Sequence, residues 1–243
     1  MVRLVLSAVL LAAMAMAADA ADSKDWRQCV SRNADHSIEA CTRIIEAGPG
    51  PGANLGVAYY NRGNAHFRKQ EFDRAIADYD QTIKLNPKQA NAYYNRGVAQ
   101  LRKGRFDRAI ADFDEAIELN PTYPAAYRNR GKAYYGKRDN DRAIADYDQA
   151  IKLNPKYAAA YKNRGAAYGS KGDFDRAVAD FGQAIKLDRK QADAYNNRGI
   201  TYQKMGEREK AAADFRKALK IDPSYDKAKE NLESLADSGS DQK

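Results

Sequence analysis

Residues Ala92 to Pro121 read AYYNRGVAQLRKGRFDRAIADFDEAIELNP, and the two halves of this stretch carry two helical stripes in succession. In the second half Phe106, Ala109, Ile110, Phe113, Ala116 and Ile117 recur at intervals of three and four, which puts every apolar side chain on one face of a helix. Asn120-Pro121 closes it, because a residue before proline is pushed out of the helical region. In the first half Ala92, Tyr93, Gly97 and Ala99 fall on one stripe of a preceding helix. The stretch is a helical hairpin.

The hairpin is copied. Gly63, Gly97, Gly131, Gly165 and Gly199 stand 34 residues apart, and setting each at position 8 of a repeat frames five gapless copies: 56–89, 90–123, 124–157, 158–191 and 192–225. Position 4 is Tyr59, Tyr93, Tyr127, Tyr161 and Tyr195; position 20 is alanine in every copy; position 24 is Tyr79, Phe113, Tyr147, Phe181 and Phe215. A period of this size means a small unit that cannot bury its apolar face alone and is stable only when stacked. Glycine inside a helix costs about 1 kcal/mol relative to alanine, so its return in each copy implies close backbone approach. We expect position 8 to face the alanine at position 20, with the aromatics of positions 4 and 24 filling the wider end.

These residues resemble the tetratricopeptide repeat, over residues 56–225. The resemblance implies an all-α solenoid of antiparallel helix pairs in a right-handed superhelix, with first helices lining a groove that binds a peptide. Arginine replaces the usual leucine at position 7, Arg189 replaces the terminal proline of the fourth copy, and Asn140 and Arg208 replace the aromatic at position 17. These departures predict less uniform packing in copies three to five.

Outside the repeats, Met1-Val2-Arg3 precedes an apolar run from Leu4 to Ala18 that ends in Ala18-Asp19-Ala20, the pattern of a cleavable signal peptide over residues 1–20, cut after Ala17 or Ala20. The run is short for a spanning helix. Resemblance to exported bacterial repeat proteins implies a periplasmic or secreted chain, with an uncleaved, tethered form as the alternative. In an oxidising compartment the two cysteines, Cys29 and Cys41, read as a disulfide stapling a degenerate capping hairpin within residues 21–55, with a turn near Asn33 to His36 and a Gly/Pro-rich connection after it. The rival, a redox or metal pair, has neither CxxC spacing nor a histidine cluster beside it. Residues 226–243 read as a capping helix and tail.

The net charge of +8 invites a nucleic-acid reading, but both signs are interspersed in every copy and aspartate holds position 23 five times. An acidic peptide or anionic envelope surface fits better than nucleic acid. In the resembled family, positions 2, 5, 6, 9, 12 and 13 face the groove. Copies one and two offer Tyr60, Asn64, Phe67, Tyr94, Val98 and Leu101 there; copies three and four offer Arg128, Lys132, Tyr135 and Lys162. The expectation is an extended peptide with apolar side chains toward the first copies and an acidic group or free carboxylate near Arg128, Lys132 and Lys162.

Asparagine holds position 6 throughout: Asn61, Asn95, Asn129, Asn163 and Asn197. A carboxamide donates and accepts, so the row could hold a peptide backbone, as in the similar asparagine ladder of O-GlcNAc transferases; equally it could bond only its neighbours. Arginine at position 7 beside aspartate at position 23 predicts ion pairs within or between copies. His66 occupies a core position and reads as a packed residue. No nucleophile with a positioned base, phosphate loop or metal spacing is present, so neither enzyme activity nor a cofactor is expected. The reading is a noncatalytic adaptor of the cell envelope that binds protein or peptide, as a monomer or with weak self-association. A self-associating scaffold, a holdase-like chaperone and a regulatory subunit of a separate enzyme are the alternatives.

Overall fold

The computed structural model describes residues 24–48 and 54–240, with helices as the regular elements among them. The signal-peptide reading and most of the Gly/Pro connection lie outside the described residues. Helix α1 covers 24–29, followed by α2 (Ala34–Ala47), α3 (Leu55–Arg68), α4 (Phe72–Leu85), α5 (Ala90–Arg102) and α6 (Phe106–Leu119). These form one compact unit; a second begins at Asn120 and holds α7 (Pro124–Gly136), α8 (Asn140–Leu153), α9 (Ala158–Ser170), α10 (Phe174–Leu187), α11 (Ala192–Lys204), α12 (Arg208–Ile221) and α13 (Asp226–Ser240). Each repeat copy is thus one helix pair. The pairs are antiparallel: Arg62 meets Asp78 and His66 meets Glu71, so advancing along α3 means retreating along α4.

The core is mostly alanine. Ala58, Ala92, Ala126, Ala160 and Ala194 at position 3, and the five alanines at position 20, are fully buried, which lets neighbouring helices approach closely. Where alanine gives way to Thr82, its hydroxyl donates to the carbonyl of Asp78 at 3.0 Å and its burial is satisfied.

The glycine of position 8 faces position 20 through its backbone, an added Cβ lying 3.1 Å from the Ala143 carbonyl at Gly131 and 3.2 Å from the Ala177 carbonyl at Gly165, but the nearest neighbour in every copy is the position 24 ring. An added Cβ at Gly131 would lie 2.7 Å from the Tyr147 ring, and at Gly199 2.6 Å from Phe215; the corresponding rings of Tyr79, Phe113 and Phe181 cover the other three. Glycine is therefore the seat of the position 24 aromatic.

Between the helices of each pair, position 15 takes the left-handed conformation, supplied by Gly104, Gly172 and Gly206 and, with φ of 61° and 63°, by Gln70 and Arg138. Without a terminal proline, α10 still ends at Leu187: the Asp188 carboxylate accepts the Lys190 N–H at 3.0 Å and turns the chain. The substitutions at position 17 leave α8 and α12 at 14 residues, as long as α4, α6 and α10. In the third copy, as in the fourth with its Phe174, an arginine lies over the position 11 tyrosine: Arg142 is 4.6 Å from the Tyr134 centroid and Arg176 4.5 Å from that of Tyr168.

Cys29 and Cys41 are bonded and fully buried among Ala40, Ile44 and Ala58, joining α1 and α2 to α3. The turn lies at residues 30–33 rather than at Asn33 to His36, because the Asn33 side chain caps α2 by accepting from the His36 N–H.

Candidate functional site

An arginine ladder fixes how the first helices present their faces. Arg62 donates through Nε and Nη2 to both oxygens of Asp78, at 2.9 and 2.7 Å, and Arg164 with Asp180 and Arg198 with Asp214 repeat this fork at 2.7–2.8 Å. Arg96 with Asp112 and Arg130 with Asp146 do the same within their copies. Both readings of the sequence hold, because a third contact runs to the preceding helix pair: Arg96 Nη1 reaches Asp80 at 2.6 Å, Arg164 Nη1 reaches Asp148 at 2.5 Å, and Arg62 Nη1 reaches Thr42 of the cap. Each guanidinium also lies over the position 4 tyrosine of its own copy, as Arg62 does 5.4 Å from the Tyr59 centroid. The hydrogen bond to Asp78 raises the Arg62 pKa, and Asp214 does the same for Arg198. Burial pushes the Asp112 carboxyl up against the opposing pull of Arg96.

Arg198 lacks the third contact, since Gly182 stands where the other copies have Asp80, Asp114 and Asp148. A Cβ at Gly182 would sit 3.7 Å from Arg198 Nη1, an ordinary contact. Gly182→Asp is expected to raise stability by roughly 1 kcal/mol and the melting temperature by about 2–4 °C, through better helix propensity and a completed ion triplet. An unchanged or lower melting temperature in thermal unfolding would contradict this role of the ladder.

Of the apolar candidates of the first two copies, Phe67, Tyr94 and Val98 come together, whereas Leu101 is half-buried on α5 and does not line their cavity. Asn64, Phe67, Arg68, Tyr94, Asn95 and Val98 surround an open cavity of about 330 Å3 floored by Tyr79. Its polar edge is prearranged: Tyr79 Oη donates to Asn64 Oδ1 at 2.8 Å, and Asn95 Nδ2 donates to Asn64 Oδ1 at 2.9 Å and to Tyr60 Oη at 3.0 Å. Tyr60 and Tyr94 are half-buried, tilted against Tyr79 and Phe113 at centroid distances of 6.1 and 5.9 Å. The Asn95 amide thus donates twice to neighbouring side chains of the protein.

The second unit brings Arg128, Asn129, Lys132, Lys162 and Asn163 onto α7 and α9, but not as a set of bare cations. Lys162 is ion-paired with Asp193, and Arg128 stacks 5.2 Å from the Tyr157 centroid while donating to Asn129 Oδ1 at 3.1 Å. Asn129 is buried, Asn163 and Asn61 are half-buried, and Lys132 is exposed. His66 is packed as expected, with Nδ1 2.7 Å from Glu71, whose carboxyl that bond holds below its usual range.

Two participants escaped the sequence reading. Arg68 joins the apolar cavity, and Asn231 of α13 donates to Asn196 Oδ1 at 2.9 Å. Counting 34 residues on from Asn197 reaches Asn231, so the repeat count alone would have found that rung.

Family models described as "Tetratricopeptide repeat" match residues 60–124, 124–157, 192–231 and 146–179, and one described as "TPR repeat" matches 169–206. Among solved structures, YrrB, described as a TPR protein with an unusual peptide-binding site, is 27% identical with a TM-score of 0.61, covering 79% of this chain and 96% of its own. MamA is 29% identical with a TM-score of 0.61 over 68% of this chain and 96% of its own. TTC0263, a thermophilic TPR protein of Thermus thermophilus, is 23% identical, TM-score 0.61, over 74% and 98%, and shares the fold. No curated protein matches the chain.

Proposed function

Because the chain is a tetratricopeptide-repeat protein, built on a fold that serves protein–protein interaction, we propose that it is a noncatalytic adaptor that binds an extended, acidic peptide along its first helices. The observation that carries this reading is the cavity formed by Phe67, Tyr94 and Val98 over Tyr79, with Arg68 at its rim. Aromatic walls can anchor an apolar side chain, and the rim arginine can pair with a neighbouring carboxylate. The residues around the cavity include no carboxylate. A peptide-binding neighbour of similar fold adds support, in that YrrB carries a peptide site.

We place the adaptor in the cell envelope. The leader-like start of the sequence and the buried Cys29–Cys41 bond support this, since such bonds persist in oxidising compartments. Selection from a random-peptide phage library on the purified full chain tests the binding. Enriched sequences should combine apolar and acidic residues and lose recovery on a Phe67→Ala/Tyr94→Ala variant. Enrichment of basic peptides, or none above a blank surface, would contradict the proposal.

A further inference from the structure

A second cavity, of about 230 Å3, lies within the unit that begins at Asn120. It exists because the fourth copy has lost its side chains. Position 9 of the repeat is Asn64, Val98, Lys132, Ala166 and Ile200, and position 12 is Phe67, Leu101, Tyr135, Gly169 and Gln203; only the fourth copy is small at both. The rings of Phe174 and Phe181 line the space so left together with Tyr135 and Ile200, while Ser170, Asn197 and Thr201 give it a polar side, where Tyr135 Oη lies 3.0 Å from Ser170 Oγ.

Gly165 is required by the fold, since an added Cβ would lie 3.1 Å from Phe181. Gly169 is not. A Cβ there would meet only Ala177 Cβ, at 3.8 Å, and the residue sits inside α9, where glycine is the poorest helix former after proline. Packing therefore gives no reason for the glycine, whereas an opening does. An enclosed apolar cavity of about 150 Å3 accepts benzene, so this larger, open one has room for an aromatic ring beside its polar side. Rings seated against Phe174 and Phe181 gain from offset or edge contacts. The lining holds one charge, the exposed Lys204, and no carboxylate. Lys204 lies 5.9 Å from the Phe174 centroid, which sets a cation at the edge of the aromatic floor.

We propose that this cavity seats an aromatic side chain of an extended peptide, with Lys204 holding the carboxylate of an adjacent aspartate or glutamate. The assignment rests on the adaptor reading but uses residues separate from the Phe67–Tyr94 cavity. It makes the fourth copy a specificity element that selects an aromatic-acidic pair.

The probes are end-blocked synthetic peptides containing Phe-Asp, with Phe-Lys, Ala-Asp and a free-carboxylate Phe peptide without Asp as comparisons, measured by calorimetry on the full chain. Phe-Asp should bind at least about tenfold more tightly than any comparison peptide, a ratio that corresponds to about 1.4 kcal/mol. Gly169→Leu fills the cavity without a backbone clash and should abolish this preference while the melting temperature is kept. Lys204→Glu should remove the advantage of Phe-Asp over Phe-Lys. Unchanged Phe-Asp affinity in Gly169→Leu, equal binding of all four peptides, or tightest binding of the free-carboxylate peptide would each overturn the assignment. If library-selected peptides still bind through Phe67 and Tyr94 while Phe-Asp does not, this site falls and the adaptor stands; if neither binds, the adaptor reading falls with it.

Discussion

Replacing Gly131 by alanine is expected to destabilise the protein by about 1–2 kcal/mol, and by leucine by about 3 kcal/mol, although both residues are better helix formers than glycine. The added Cβ would sit 2.7 Å from the Tyr147 ring and 3.1 Å from the Ala143 carbonyl, and neither can retreat. The ring is fully enclosed and the carbonyl belongs to the neighbouring helix. The same change at Gly169, 38 residues later and also within a first helix, is expected to stabilise by about 1 kcal/mol, because its Cβ meets nothing closer than 3.8 Å. Thermal or denaturant unfolding of the two alanine variants should therefore shift in opposite directions. Shifts of the same sign would mean that the position 8 glycines are not seats for the aromatic rings.

Breaking the arginine ladder at its simplest rung should have an effect of comparable or greater size. Arg198 and Asp214 side chains are 21% and 8% exposed, so removing either leaves the other charge in a mostly dry site. Arg198→Met or Asp214→Ala alone should cost about 3 kcal/mol, near the lower end for a broken buried pair. The double variant should cost less than the sum by roughly 2 kcal/mol, because no charge is then stranded. Additive losses in the double-mutant cycle would show that the two side chains act independently. This rung is the informative one, since Gly182 removes the third carboxylate that complicates the cycle at Arg96 and Arg164.

The period of the sequence was enough to place the helices, because 34-residue spacing and three-four stripes fix both element length and buried face. What it could not fix was stagger. Position 8 meets the position 20 carbonyl at Gly131 and Gly165, but a turn with its left-handed residue at position 15 also brings residues 16 apart together and sets the position 24 ring on the glycine, which one copy of the repeat does not reveal. Stagger between successive first helices is likewise invisible in one copy. It brings Asn95 to Tyr60 and Lys162 to Asp193, 35 and 31 residues apart, and so turns two expected ligand groups partly inward. The columns of small residues were visible in the sequence, but a gap in a column has meaning only once the neighbouring walls are known. That is why the Phe67–Tyr94 cavity was legible and the one over Gly169 was not.

A partner held on the first helices must lose affinity when their side chains are cut back and keep it when the second helices are altered. The affinity of a library-selected acidic peptide is measured for the unaltered chain, for Phe67→Ala/Tyr94→Ala, and for Arg74→Ala/Lys84→Ala on exposed positions of α4. Binding through the first helices predicts a loss of at least about tenfold in the former variant and little change in the latter. A loss confined to the α4 variant, or equal binding by all three proteins, would contradict it.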